Sequence, residues 1–279
     1  MAKTKVLITV KTYPTISGKY DELVCTAGFL EDGSWIRIYP IPFRKISYGN
    51  QYKKYDWIEI DLVKNTSDFR PESYRPYSLE SELAIIGHID TGKDRSWKER
   101  KDLVLNKVYT DMSKLIKEAK NKDICTSLAV FKPSKILDFY AEPTDRVWDK
   151  KKIDQLKANR DQINMFEYEH PENPFEAVRK LPYTFKFKFE DETGKESKMM
   201  IEDWETGQLF WKSLEKHGGD EDKAIKDVKN KYYDDFAKTK DLHFFLGTSA
   251  LYHFNSRNPF MIIGTFHPKI NNDRQLSLF

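Results

Sequence analysis

Cysteine is almost missing from this chain: Cys25 and Cys125 are the two thiols in 279 residues. Both sit among apolar or small neighbours and form no CxxC pair. A disulfide framework is therefore excluded, a reducing compartment fits, and a tetrahedral zinc site is short of ligands. Long apolar runs are missing too. No stretch approaches the roughly 18 consecutive apolar residues of a membrane-spanning helix, and Met1-Ala2-Lys3-Thr4-Lys5 leads straight into a short β-like run without a signal-peptide core. The expectation is a cytoplasmic chain with no membrane partner. Neither sign of charge dominates: 47 Lys and Arg against 44 Asp and Glu leave +3, so any nucleic-acid surface has to be local. There is no glycine-rich phosphate loop, no HExxH pair, no arranged Ser or Cys nucleophile, and no evident internal repeat. Neither cofactor nor metal is expected.

What is present is a globular composition. Hydrophobic residues at 39%, aromatics at 14% and charged residues at 33% allow a buried core and exclude wholesale disorder. The length suits one large domain or two small ones, and two are expected. Residues 5–11, 22–30 and 34–39 read as strands, the last two joined by Glu31-Asp32-Gly33, a strong hairpin signal. Residues 56–63 and 82–90 continue the β pattern, with an extended polar loop over 65–76. Helical spacing takes over at 96–108 and 111–120, where Met112, Leu115, Ile116 and Ala119 share one face. Residues 127–140 are expected to return as a strand to the first core, broken or bulged at Pro133.

A charged, proline-rich stretch over 141–174 marks the expected domain boundary. Beyond it, 183–190 alternates Tyr and Phe against Thr and Lys, a period of two, and a turn at 192–195 leads to a strand over 198–202. Helices are expected at 206–216 and 221–236, the second after Gly218-Gly219-Asp220, and strands at 241–248 and 259–266 close the chain. The fold class is α+β: a β-rich, barrel-like first domain over 1–145, a smaller α+β domain of unknown role over 175–267, and a flexible tail over 268–279.

The tail ends in Gln275-Leu276-Ser277-Leu278-Phe279, which resembles the pentapeptide that tethers bacterial replication and repair proteins to the sliding clamp. Leu276, Leu278 and Phe279 would anchor in apolar pockets and Gln275 would supply directional hydrogen bonds. The alternative is that these residues dock on the protein's own core as a terminal strand. The segments Cys25-Thr26-Ala27-Gly28 and Trp35-Ile36-Arg37, followed by Pro40, resemble the opening of the dual oligonucleotide-binding-fold modules of bacterial conflict and repair systems. That resemblance covers about the first 40 residues and implies a nucleic-acid-binding barrel.

Read without the family, Lys11, Tyr13, Arg37, Tyr39 and Arg44 interleave cations with aromatics, as a single-stranded groove requires, and Arg70, Arg75, Trp97 and Arg100 extend the pattern. An ordinary solvated face with its aromatics turned inward is the competing reading. The segment 97–122 adds eight Lys or Arg against four acids. For an active site, Glu202, Asp203 and Glu205 beside Trp204 are the available carboxylates, but strand alternation sends Glu202 and Asp203 to opposite faces. His243, in an apolar strand, reads as a core histidine. Whether the protein is an enzyme stays open. The leading expectation is a DNA-associated accessory or sensor protein of replication, repair or phage defence, with single-stranded DNA and the clamp as partners. A metal-dependent nuclease or DNA-modification enzyme is the alternative, and a protein-interaction adaptor without nucleic-acid binding is the third.

Overall fold

In the computed structural model the Asp-Gly turn forms as its composition dictates. Gly33 takes φ 79°, a value that costs glycine little, and Asp32 Oδ1 accepts from the Ser34 amide at 2.9 Å. The structure describes residues 3–16, 22–41, 51–78, 81–151, 153–154 and 178–270, so Arg44 and the terminal pentapeptide lie outside the described residues.

The first half is a curled sheet of β1 (Thr4–Lys11), β2 (Thr15–Ile16), β3 (Glu22–Phe29), β4 (Trp35–Ile41), β5 (Asp56–Ile60), β6 (Leu62–Lys64), β7 (Ser73–Pro76) and β8 (Ala84–His88). Its order is β6-β7-β4-β3-β1-β5-β8, with β2 beside β3. The run expected as one strand over 56–63 is interrupted at Asp61, whose carbonyl accepts the Tyr77 amide at 3.0 Å. Because β5 pairs with β1 while β6 pairs with β7, the sheet closes on itself as a half-barrel. Its interior is aliphatic: Val6, Ile8, Val24, Ile36, Ile38, Ile41, Ile58 and Ile60 cluster around Tyr52. Gly28 permits the closest contact, since a Cβ there would lie 1.9 Å from the Leu7 carbonyl oxygen.

Helix α1 (Lys98–Val104) leads to β9 (Val108–Tyr109) and α2 (Met112–Lys120), where the Asp111 side chain caps the Ser113 and Lys114 amides. The second half then takes up β10 (Leu128–Phe131), β11 (Lys135–Pro143), β12 (Tyr183–Glu190) and β13 (Glu196–Met200). Two helices follow, α3 (Trp204–Lys216) and α4 (Glu221–Lys229), before the chain ends in β14 (His243–Thr248) and β15 (Phe260–Phe266). The helix expected to run on to Phe236 does continue, but as a π-helical segment over Asn230–Ala237. The strand expected to rejoin the first core packs Leu128 and Val130 against it but pairs with none of its strands. It splits at Lys132-Pro133-Ser134: β10 pairs with β14, and β11 pairs with β12 across the charged stretch. Proline cannot extend a ladder, so the chain changes sheets there. The alternation in β12 buries Phe185, Phe187 and Phe189 against Phe139, Phe210 and Phe244.

Both halves trace the same circuit. In the first, β1, β3 and β4 run antiparallel, β7 joins β4 in parallel, and the β5/β6 run links β7 back to β1. In the second, β11, β12 and β13 run antiparallel, and the parallel bridge Ile201 to Ile262 joins β13's end to β15. β14 then links β15 back to β10. The halves share an apolar seam in which Leu7, Val10, Phe29, Tyr55 and Val104 meet Val130, Phe245, Ile263 and Phe266.

Candidate nucleic-acid interface

A cavity of about 310 Å³ opens on the seam, between the ends of β1, β3 and β4 and the chain that leaves β14. Arg37 on β4 and Arg70 on the β6–β7 loop reach it from the first half; Glu202, Gly247 and Thr248 reach it from the second. Arg37 is 2% exposed. Its Nη1 donates to Ser127 Oγ at 2.8 Å and Ser73 Oγ at 3.3 Å, and its Nη2 donates to the Ser127 carbonyl at 3.2 Å. All three acceptors are neutral, and no carboxylate among the described residues makes an ion pair with it. Burial pulls its pKa below the ordinary arginine value, and the neighbouring Arg70 adds to that.

Arg70 is held differently. Nε donates to Asp68 Oδ1 at 2.8 Å and Nη2 to Asp68 Oδ2 at 2.6 Å, while Nη1 donates to the Thr248 carbonyl across the seam. Burial alone would raise the Asp68 carboxyl; the hydrogen bonds from Arg70 override it and take it down to about 2. On the opposite side Glu202 has no hydrogen-bond or ion-pair partner for its side chain among the described residues, and burial raises its pKa.

The loops that supply Arg70 and Ser249–Leu251 to the cavity lining also carry exposed aromatics. Phe69 is 50% exposed and stacks on Phe254, 37% exposed, with ring centroids 5.0 Å apart; Tyr252, 55% exposed, stands on the same β14–β15 loop. Cations adjoin them. Arg257 and Lys122 are exposed, and Lys120 Nζ holds the loop by donating to the Phe254 carbonyl at 2.9 Å. Beneath, buried His253 accepts from or donates to Thr248 Oγ1 at 2.8 Å and contacts the Ala119 carbonyl at 2.7 Å, so the loop's root is fixed.

Of the residues expected to bind nucleic acid, Tyr13, Arg37, Tyr39 and Arg70 line this one cavity. Lys11 is buried, its Nζ donating to the Tyr52 carbonyl at 3.2 Å. Arg100 is buried over the Tyr55 ring, 3.7 Å from its centroid, with Nε donating to the Ile89 carbonyl at 2.9 Å. Arg75 is exposed on β7, apart from the cavity lining. Sequence reasoning passed over Phe69, Tyr252 and Phe254; the available signal was aromatics inside polar loops, with no strand to turn them inward.

The adjacent acids part as alternation requires. Asp203 caps α3 and takes Lys54 Nζ at 2.9 Å, buried, with Glu205 also on that lysine. Burial raises the Asp203 carboxyl, with Lys54 opposing; Lys54 stays protonated because the two carboxylates outweigh its own desolvation. Among the described residues no group of three or more His, Cys, Asp or Glu converges as a metal site. Tyr13 crosses the seam beside them: its amide donates to the Glu202 carbonyl at 3.1 Å, its hydroxyl accepts from Trp211 Nε1 at 2.8 Å, and its ring fills the space a Cβ on Gly207 would take, 2.2 Å away.

Two models of domains of unknown function match the chain, DUF8758 over residues 2–106 and DUF8757 over residues 108–279. No curated protein matches. Among solved structures, a murine DNA binding protein bound with double-stranded DNA aligns over 97% of both chains at 11% identity and a TM-score of 0.31, a likeness too slight to bear on function. Since the second model spans more than half of its length, the chain belongs to the family of the domain of unknown function DUF8757.

Proposed function

We propose that this protein binds single-stranded nucleic acid, DNA foremost, across the seam, as an accessory or sensor protein of replication, repair or phage defence tethered to a bacterial sliding clamp by residues 275–279. The observation that carries the reading is an exposed, mutually stacked Phe69–Phe254 pair, with Tyr252 and Arg257 on the same β14–β15 loop as Phe254, on loops that also line a cavity containing two arginines. Bases stack on such faces for about 1–3 kcal/mol each, and cations neutralise the backbone. The shared strand circuit supports it as well, since an antiparallel meander whose third strand takes the last in parallel is the path of an oligonucleotide-binding barrel. In the second half the helices α3 and α4 fall between the third and fourth strands of that path. The nuclease alternative has less support, because Asp203 is already committed to Lys54.

The test is titration of a fluorescent oligothymidine with the full chain at roughly 50 and 200 mM salt. Expected are binding that weakens with salt and a loss of about tenfold or more in a Phe69→Ala, Phe254→Ala double variant. No affinity at low salt sinks the nucleic-acid reading. Clamp binding of about −8 kcal/mol, a micromolar Kd, lost on deletion of residues 275–279 is expected in parallel; clamp binding with no affinity for the oligomer would make the protein an adaptor.

A further inference from the structure

Two groups in the seam cavity make no ion pair among the described residues, and they are of opposite charge. Arg37 is a guanidinium almost wholly withdrawn from water, satisfied by serines alone. Glu202, on the second half, presents acceptors that receive no donor among the described residues. The carboxylates nearest Arg37, Glu72 and Asp68, reach it through the hydroxyls of Ser127 and Ser73, and a ligand that brought an anion to Arg37 and N–H donors to half-buried Glu202 would give each a direct partner. Between them the wall is apolar, made by Met261, Ile263 and the bare backbone of Gly247, a surface against which a planar ring can lie. A cavity of about 310 Å³ is on the scale of a mononucleotide.

We propose that this cavity takes one guanine nucleotide, with the base's N1–H and N2–H2 edge on the Glu202 carboxylate and the phosphate on Arg37 and Arg70. The inference rests on the nucleic-acid reading and names its specificity. A carboxylate offers acceptors alone, and among the common bases guanine presents two adjacent donors on its pairing edge. Adenine sets one donor beside an acceptor, cytosine one donor beside two acceptors, and thymine flanks one donor with acceptors. Guanidinium groups suit phosphate oxygens through paired N–H donors. The nucleotide comes either free or as an unstacked guanosine of a strand lying on the exposed aromatics.

The experiment uses the full chain, titrated with GMP, AMP, CMP, UMP and inorganic phosphate, and separately with an oligothymidine carrying one central guanosine or none. Expected is a preference for GMP of about tenfold or more, the scale of one bidentate contact. Glu202→Gln, which keeps the shape but offers a donor and an acceptor, should abolish that preference. Arg37→Gln should weaken all four nucleotides together; should that variant fail to fold, Glu202→Gln still decides. Discrimination in the oligomers by the same factor assigns the guanosine to a strand, and discrimination among monophosphates alone assigns a free nucleotide. Equal binding of all four bases and of phosphate would overturn the inference in favour of a plain anion site. Normal oligothymidine binding with no guanine preference in either arm would overturn it and leave the nucleic-acid reading standing. Loss of oligothymidine binding strikes that broader reading, while the monophosphate arm still judges the cavity by itself.

Discussion

The two halves run one strand circuit and fill it with different matter. The first packs isoleucine and valine around Tyr52; the second stacks Phe139, Phe185, Phe187, Phe189 and Phe244, with Phe139 and Tyr232 parallel at 5.3 Å. The reason lies in the second half's helices: α3, α4 and the π-helical segment send Phe210, Val228, Tyr232 and Phe236 into its core. A half-barrel capped by helices has more space to fill, and aromatic side chains supply more area per residue. Cations divide the other way: Lys11, Arg37, Arg70 and Arg100 are buried in the first half. One topology thus supports a helix-capped phenylalanine core and an aliphatic core with buried cations around it.

Variants can break or sharpen this contrast. The largest effect is expected where the halves are bonded. Asp203→Ala removes the α3 cap and leaves buried Lys54 with the exposed Glu205 carboxylate alone, at a cost of about 3 kcal/mol in urea unfolding, and a Lys54→Met, Asp203→Leu pair should recover most of it. A loss under about 1 kcal/mol would mean the seam is held by its apolar residues alone. Phe187→Ala in the second core should cost about 3–5 kcal/mol, against about 0.5–1.5 for Ile38→Val in the first. Equal costs would erase the distinction in packing.

The smallest effect is one of pH. His267 stacks on Phe236 of the second half with centroids 3.6 Å apart and faces Trp97 of the first. Burial lowers its pKa from 6.5 to about 3. The unfolded chain takes up this proton near 6.5 and the folded one does not, so stability present above pH 6.5 is lost as pH falls from there toward 3, by up to about 1.4 kcal/mol per unit. His267→Phe should flatten the curve relative to the parent between pH 6.5 and 5, carboxylates common to both cancelling in the difference. Parallel curves would show that His267 is protonated equally in both states.

Much of the fold was written locally. The β12 alternation, the hairpin at Gly33 and the caps at Asp111 and Asp220 depend on near neighbours, and near neighbours are what a sequence displays. The partner of residues 135–143 was not, because strand pairing over some fifty residues is decided by which apolar faces remain uncovered after collapse. The repeated circuit left no repeat in the sequence because one core is built mainly of isoleucine and valine and the other mainly of phenylalanine. The site was half legible. Cations beside aromatics drew attention to Tyr13, Arg37, Tyr39 and Arg70, which do converge, but the same rule picked Lys11 and Arg100, whose charges are spent on main-chain carbonyls. Direction, in or out, is a property of the finished sheet.

The ring of Tyr13 seated in the gap at Gly207 has a hereditary consequence. A segment of the first half is keyed into a helix of the second, and the key fits because one residue there has no side chain. Recombination that gave either half a new companion would deliver a phenol to a helix with a methyl in its way, or leave a notch with nothing to fill it. The halves look like interchangeable modules in strand order, yet Tyr13 and Gly207 fit each to this companion, and a substituted half would need a matching residue at one of the two positions.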